Sequence, residues 1–243
     1  EVSYEALVHV QDLLGESGDR NFAEAIEEYW KTIQELSNDP SSAVTQGLFV
    51  SKAQTLIERA TNVYKSLVDY QDNLNKEDKK DVDKLNDYGK RLVELNEQIL
   101  KIECGGVEHA NDFRDERNYI LDQMSELCNL SYKEDANSYV SVQIEGVDFV
   151  KGTTFYEMKL DENEYGYYTP FWPHIIESTL DADGNVIYTP EEVAKGRVFN
   201  LDREISTEAN TDVGRLRSIL YARGDHPADC SELEDVDEYN RVI

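Results

Sequence analysis

The chain has 243 residues, with 24 Lys and Arg against 51 Asp and Glu, a formal charge of −27 at pH 7. That balance excludes the basic stripe by which proteins displace counterions from nucleic acid, and it opposes docking on anionic membranes. Forty per cent apolar residues supply material for one or two folded domains, while no apolar run approaches the roughly 20 residues that span a bilayer.

No basic and apolar prelude opens the chain, so either that segment is excised or no cleaved secretion signal exists. The three cysteines, Cys104, Cys128 and Cys230, are odd in number and lack C-x-x-C spacing, which argues for free thiols over a disulfide framework or a zinc site.

The first half has helical periodicity. Asn21 followed by Glu24 has the spacing of a capping box, and Phe22, Ile26, Tyr29, Trp30, Ile33 and Leu36 form one apolar face behind it. Asn38-Asp39-Pro40 ends that helix, and Ser41-Ser42 can cap the next. Phe49, Ala53, Leu56, Ala60, Val63, Leu67, Tyr70 and Leu74 then recur at the alternating spacing of a heptad seam. The polar run from Asn75 to Asp83 either turns the chain or continues it as a solvated helical stretch. Leu85, Tyr88, Leu92, Leu95, Ile99 and Ile102 repeat the seam until Gly105-Gly106 stops it. Two helices of about 25 residues, roughly 37 Å each, are therefore expected to lie alongside each other or on further helices. The residues assigned to this structural seam are Leu56, Val63, Leu67, Tyr70, Leu74, Leu85, Leu92, Leu95, Ile99 and Ile102. Asn111 is a candidate cap for a helix of about four turns through Phe113, Arg117, Ile120, Leu121, Met124, Leu127 and Cys128.

At Tyr132 the pattern changes. Tyr139 to Ile144 and Val147 to Val150 read as a hairpin around Glu145-Gly146. Short strands follow over Thr153 to Leu160, Tyr165 to Trp172, Ser178 to Leu180 and Val186 to Tyr188, with Asp183-Gly184 as a hairpin turn. Helical spacing returns after Asn210, where Thr211 or Asp212 can cap Val213, Leu216, Ile219 and Leu220 before Arg223-Gly224. The expected class is α+β: an elongated antiparallel helical bundle with heptad-bearing long helices (1–131), an inserted, outward-projecting β-rich domain (132–209), and a return segment with one helix and an acidic tail (210–243).

Candidate chemistry is sparse. Asp181-Ala182-Asp183-Gly184 fails the calcium-loop register, since placing Gly184 at position 6 puts Thr179 at position 1 and Pro190 at position 12. His9, His109, His174 and His226 lack a metal-ligand neighbour at helical spacing. Carboxylate pairs such as Glu27-Glu28 and Glu191-Glu192 are the expected yield of so acidic a composition. No phosphate loop, nucleophile elbow, kinase or zincin signature occurs. No catalytic, cofactor-binding or metal-ligating residue is assigned, and no cofactor or enzymatic activity is expected.

Several stretches resemble the first flagellar hook-associated proteins, the family at the hook–filament junction. They are Leu36-Ser37-Asn38-Asp39-Pro40-Ser41-Ser42 after Glu28-Tyr29-Trp30; Ala53-Gln54-Thr55-Leu56; Leu92 to Ile99; Ala110-Asn111-Asp112-Phe113-Arg114-Asp115-Glu116-Arg117 to Leu121; and Leu127 to Leu130. Val213-Gly214-Arg215-Leu216 to Leu220 is similar to a later helix of the family. The likeness covers about residues 20 to 150 and 198 to 224; the β-rich region between matches weakly.

The resemblance implies a structural protein exported through the flagellar type III apparatus without a cleaved signal and assembled as a ring between hook and filament. The partners it implies are the hook protein, the second junction protein (hook-associated protein 3), further copies of itself in the ring, and a flagellar export chaperone. The family's apolar heptad termini are not present, so the chain is read as a middle portion, monomeric alone. Two other readings stand beside it: a coiled-coil adaptor or scaffold that recruits a partner helix, and an acid-rich hydrolase using carboxylates of the β-rich region.

Overall fold

The computed structural model describes residues 2–14, 22–105, 109–181, 183–201 and 213–227. It has the α+β composition expected, in two compact units, Glu1–Asn73 and Leu74–Ile243.

The first unit holds α1 (Val2–Leu14), α2 (Phe22–Asn38) and the first part of α3 (Ala43–Glu103). α2 stops ahead of Asp39-Pro40, and the connection is closed by side chains. The Ser42 hydroxyl lies 3.5 Å from the Thr45 N–H, Thr45 Oγ1 donates to the Asp39 carbonyl at 2.8 Å, and Gln46 Nε2 donates to that of Pro40. The predicted caps Asn21, Thr211 and Asp212 lie outside the described residues.

The contact face of α2 keeps Phe22, Tyr29, Ile33 and Leu36 of the face expected, all half-buried, but not the other two. Ala25 and Thr32 are its buried positions, while Ile26 and Trp30 are exposed. The small side chains let the helices approach, so Tyr29 reaches Phe49 at 5.4 Å and Glu28 binds Lys52 at 2.6 Å.

In the second unit the polar run Asn75–Asp83 does not turn the chain but continues α3, with Lys76, Glu77, Lys79, Lys80 and Asp83 exposed as expected of a solvated stretch. It has no Gly or Pro to break the helix, so α3 continues through it to a length of 61 residues. Asn75, Asp78 and Asp81 are buried, which corrects the solvated face expected from composition.

α4 (Asn111–Leu127) starts without help from the Asn111 side chain. Its first turn is served from another helix: the Glu103 carboxylate accepts the Ala110 N–H at 3.1 Å.

Four antiparallel strands follow in sequential order: β1 (Leu130–Glu134), β2 (Val140–Ile144), β3 (Val147–Lys151) and β4 (Thr154–Phe155). Glu145 and Gly146 both take positive φ, as the tight β2–β3 turn requires. Val140, Val142 and Ile144 alternate into the core. β5 (Lys159–Glu162) pairs with β6 (Tyr168–Phe171), and β7 (Thr179–Leu180) with β8 (Val186–Ile187) across the Asp183-Gly184 turn.

A short helix, α5 (Pro190–Gly196), interrupts the strands, capped by the Thr189 hydroxyl with Pro in its first turn. α6 (Arg215–Arg223) begins after Gly214, where a Cβ would stand 2.7 Å from the Cys128 backbone. One core, built on Leu85, Leu92, Leu95, Met124, Phe149 and Trp172, is shared by α3, α4, α6 and the strands.

Candidate functional site: asparagines that tie one helix to the strands

Within the first unit Leu56, Val63, Leu67 and Tyr70 are half-buried. Within the second, Leu74, Leu85, Leu92, Leu95 and Ile99 are buried and Ile102 is half-buried. The apolar seam alone would fix neither height nor rotation, because hydrophobic contact is non-directional. Three asparagines in and beside it supply direction.

Asn86 Nδ2 donates to the Met158 carbonyl at 2.8 Å, while the Met158 N–H donates to Asn86 Oδ1 at 3.0 Å. Asn96 does the same with Val140, at 2.9 and 3.0 Å, and also reaches the Gly152 carbonyl at 3.1 Å. Asn75 donates to the Gly166 carbonyl at 2.8 Å and accepts the Tyr168 N–H at 2.9 Å.

Each amide offers one donor and one acceptor side by side, the pattern a neighbouring strand would present. It thereby satisfies main-chain groups that burial would otherwise strand. The three ties span 21 residues of α3, roughly 31 Å of helix.

Sequence reasoning singled out none of these asparagines. They stood in or beside polar stretches that read as surface, and the only available signal was their position within a buried stripe of a long helix. Gly89 lies between two of the ties, and a Cβ there would meet the Phe155 ring at 2.4 Å.

A charged lock sits at one end of this stripe. Arg223 Nη1 donates to Asn75 Oδ1 at 2.7 Å and to Asp78 Oδ2 at 3.2 Å, and both ions are buried. Burial pushes the Asp78 carboxyl up to about 7 against the pull of Arg223. Burial likewise raises Asp81, whose carboxylate lies 3.3 Å from Arg215.

At the other end of the stripe Glu103 accepts from Arg114 at 2.6 and 2.7 Å and from Ser138 at 3.1 Å. The Arg114 hydrogen bonds, followed by that of Ala110, hold its carboxyl at about 2.

The sequence features set aside for chemistry are accounted for by local contacts. The Asp181 carboxylate accepts the N–H groups of Asp183 and Asn185, the arrangement of a turn. Glu28 pairs with Lys52, and Glu192 with Lys195. His9 lies against Tyr70 and His174 is stacked on Tyr156, while His226 contacts Asp225 and His109 is exposed. Among the described residues no His, Cys, Asp and Glu cluster could hold a metal ion. Burial pushes the Cys128 thiol up to about 12, which leaves it unreactive.

A cleft of about 80 Å³ beside Thr169, Arg197, Phe199 and Leu220 has one carboxylate, Asp225, among the described residues that line it. Burial raises the carboxyls of Asp78, Asp81, Glu145 and Asp161, each against the pull of an arginine: Arg223, Arg215, Arg217 and Arg197 in turn. No helix among the described residues is long and apolar enough to cross a membrane.

Residues 7–197 match the family model for the flagellar hook-associated protein FlgK helical domain. Over 141 residues the chain is 28% identical to flagellar hook-associated protein 1 of Bacillus subtilis (strain 168), covering 57% of this chain and 28% of that protein. Over 153 residues it is 20% identical to flagellar hook-associated protein 1 of Escherichia coli (strain K12), covering 62% of this chain and 28% of that protein. The chain thus spans just over a quarter of these relatives' length. The flagellar hook junction protein FlgK from Burkholderia pseudomallei superposes with a TM-score of 0.68 at 18% identity, covering 91% of this chain and 36% of that one. At that identity the likeness is one of fold.

Proposed function

Because the chain belongs to the family of the flagellar hook-associated protein FlgK helical domain, we propose that it is a structural part of the bacterial flagellum and acts in the layer joining hook to filament. The observation that carries this reading is the family match over residues 7–197. The geometry supports a mechanical role over a catalytic one. A helix tied at three heights to the backbone of the strands and their connections resists sliding and rotation, because each amide pair is lost if that backbone shifts by a fraction of a residue.

In this reading the chain is not an enzyme. Its copies lie side by side in a ring through heterologous contacts, between the hook protein and hook-associated protein 3. It reaches the outside through the flagellar type III apparatus with the help of an export chaperone. The β-rich stretch 132–209 faces outward, in keeping with the exposure of β1 and of the β7–β8 hairpin.

The test is removal of the polypeptide from its bacterium, followed by electron microscopy of the cell surface. Hooks without filaments, restored by the intact gene, are the expected result. Filaments still seated on hooks would overturn the reading.

A further inference from the structure

α6 buries Leu216, Ile219 and Leu220, but its nine residues are too few to hold a helix by themselves. Its first turn gives little help. Gly214 offers no side-chain cap, and Arg215 and Arg217 stand at the positive end of the helix dipole, where acids would be favoured. Three apolar side chains must therefore offset the ordering of the whole segment. What else fastens it to α3 is charge. Arg215 reaches Glu77 at 2.7 Å and Asp81 at 3.3 Å, and Arg223 reaches Asn75 at 2.7 Å and Asp78 at 3.2 Å.

That charge is incompletely compensated. Asp78 is fully buried, and its second oxygen, Oδ1, has no hydrogen-bond partner among the described residues. Burying ions costs nearly as much as their attraction returns, so water competes closely for both partners. The remainder of the unit has its own support. Asn86 and Asn96 tie α3 to backbone near the strands without any residue of α6, and Leu92, Leu95, Phe149 and Trp172 belong to the core that α3 shares with those strands.

We propose that α6 is a strap that opens and closes as one piece on an otherwise folded second unit, with Arg215 and Arg223 as its catch. The fold carries a reporter of that motion. α6 begins directly on Cys128, where a Cβ at Gly214 would stand 2.7 Å from the Cys128 backbone, and the Cys128 side chain is buried. Opening uncovers Cys128. Cys104, at the end of α3, is exposed with the strap closed and serves as the internal standard.

The test is alkylation of the 243-residue chain by iodoacetamide, each cysteine being read by peptide mass spectrometry, with hydrogen exchange of α3 and β2 amides followed in parallel. Cys104 should react at once. Cys128 should react slowly, at a rate almost independent of urea at low concentration, because a local opening exposes little surface. Arg223→Met should speed Cys128 by at least about a hundredfold while α3 and β2 amides keep their protection. Should that variant lose its fold by circular dichroism, the half-buried Arg215→Met should speed Cys128 by a smaller factor in a folded chain. Asn86→Ala weakens the body of the unit without touching the catch and should leave the Cys128 rate unchanged. The proposal is overturned if Cys128 reacts only with the steep urea dependence of unfolding the whole unit, if a folded arginine variant leaves its rate unchanged, or if Asn86→Ala speeds it as much as Arg223→Met.

Discussion

Asn86 and Met158 exchange two hydrogen bonds, one in each direction, across 72 positions of sequence. The helix thus lends the strand region a substitute strand at the point where Met158 is buried. Asn86→Ala leaves a buried N–H and C=O without partners, so a loss of about 2–3 kcal/mol is expected in urea unfolding. Asn86→Asp keeps the acceptor but sets a second acceptor against the Met158 carbonyl. The new carboxyl is held above its unfolded value near 3.9. Its stabilising contribution is therefore complete below that pH and is lost as pH rises, and thermal melts should show this variant approaching the parent on acidification. A flat difference from pH 3 to 8 would mean that the pairing does not govern stability there.

The lock between Asp78 and Arg223 should respond as a unit. Arg223→Met leaves Asp78 buried without its cation and should cost about 3–5 kcal/mol. Asp78→Asn in the same chain should return part of that loss, which a double-mutant cycle measures directly. Asp78 also titrates near 7 in the folded chain against 3.8 for the free group. Between those values the folded state holds the extra proton, so this group's contribution to stability falls as pH rises through 7. The stability difference between parent and Asp78→Asn should move in that window. Additive losses would show that the two ions are not coupled, and a pH-independent difference would show that burial does not raise the Asp78 carboxyl.

Glu103 has the opposite sign. Its carboxyl is held at about 2, well below the free value of 4.5, by the Arg114 hydrogen bonds first. Stability from this group is present above the unfolded value and is lost as pH falls through the folded one. The parent should therefore lose more stability than Glu103→Gln between about pH 4.5 and 2, read by acid titration of the far-ultraviolet signal. Parallel acid profiles would refute the assignment.

Gly89→Ala tests close approach. The added methyl would overlap the Phe155 ring, at 2.4 Å, and the Phe149 ring, at 2.8 Å. Destabilisation of about 1–3 kcal/mol is expected from overpacking. A smaller side chain in the Phe155→Leu background should recover part of it. Equal loss in both backgrounds would place the strain elsewhere.

Much of the helical architecture was readable from spacing. The stop at Asp39-Pro40, the start at Ala43 after Ser42, the helix through Met124, and the Glu145-Gly146 and Asp183-Gly184 turns depend on neighbours within a few residues. The α5 helix also had a legible signal, Thr189-Pro190-Glu191-Glu192, hidden by the strand-like residues around it. The contact face of α2 was misread at Ile26 and Trp30, which hydrophobicity favours. Helix approach instead selected Ala25 and Thr32, whose value lies in being small.

By itself the sequence determined the helices after Asn21, after Ser42 and from Asn111, and where the Asp39-Pro40, Glu145-Gly146 and Asp183-Gly184 turns fall, because these follow from local sterics and periodicity. Only the tertiary structure decided that Asn75–Asp83 runs on within one helix, and that Asn75, Asn86, Asn96 and Asp78 turn inward. Burial costs a polar side chain free energy unless a particular partner stands opposite it. Those partners, the backbone of Met158, Val140, Gly166 and Tyr168 and the guanidinium of Arg223, arrive from distant parts of the chain.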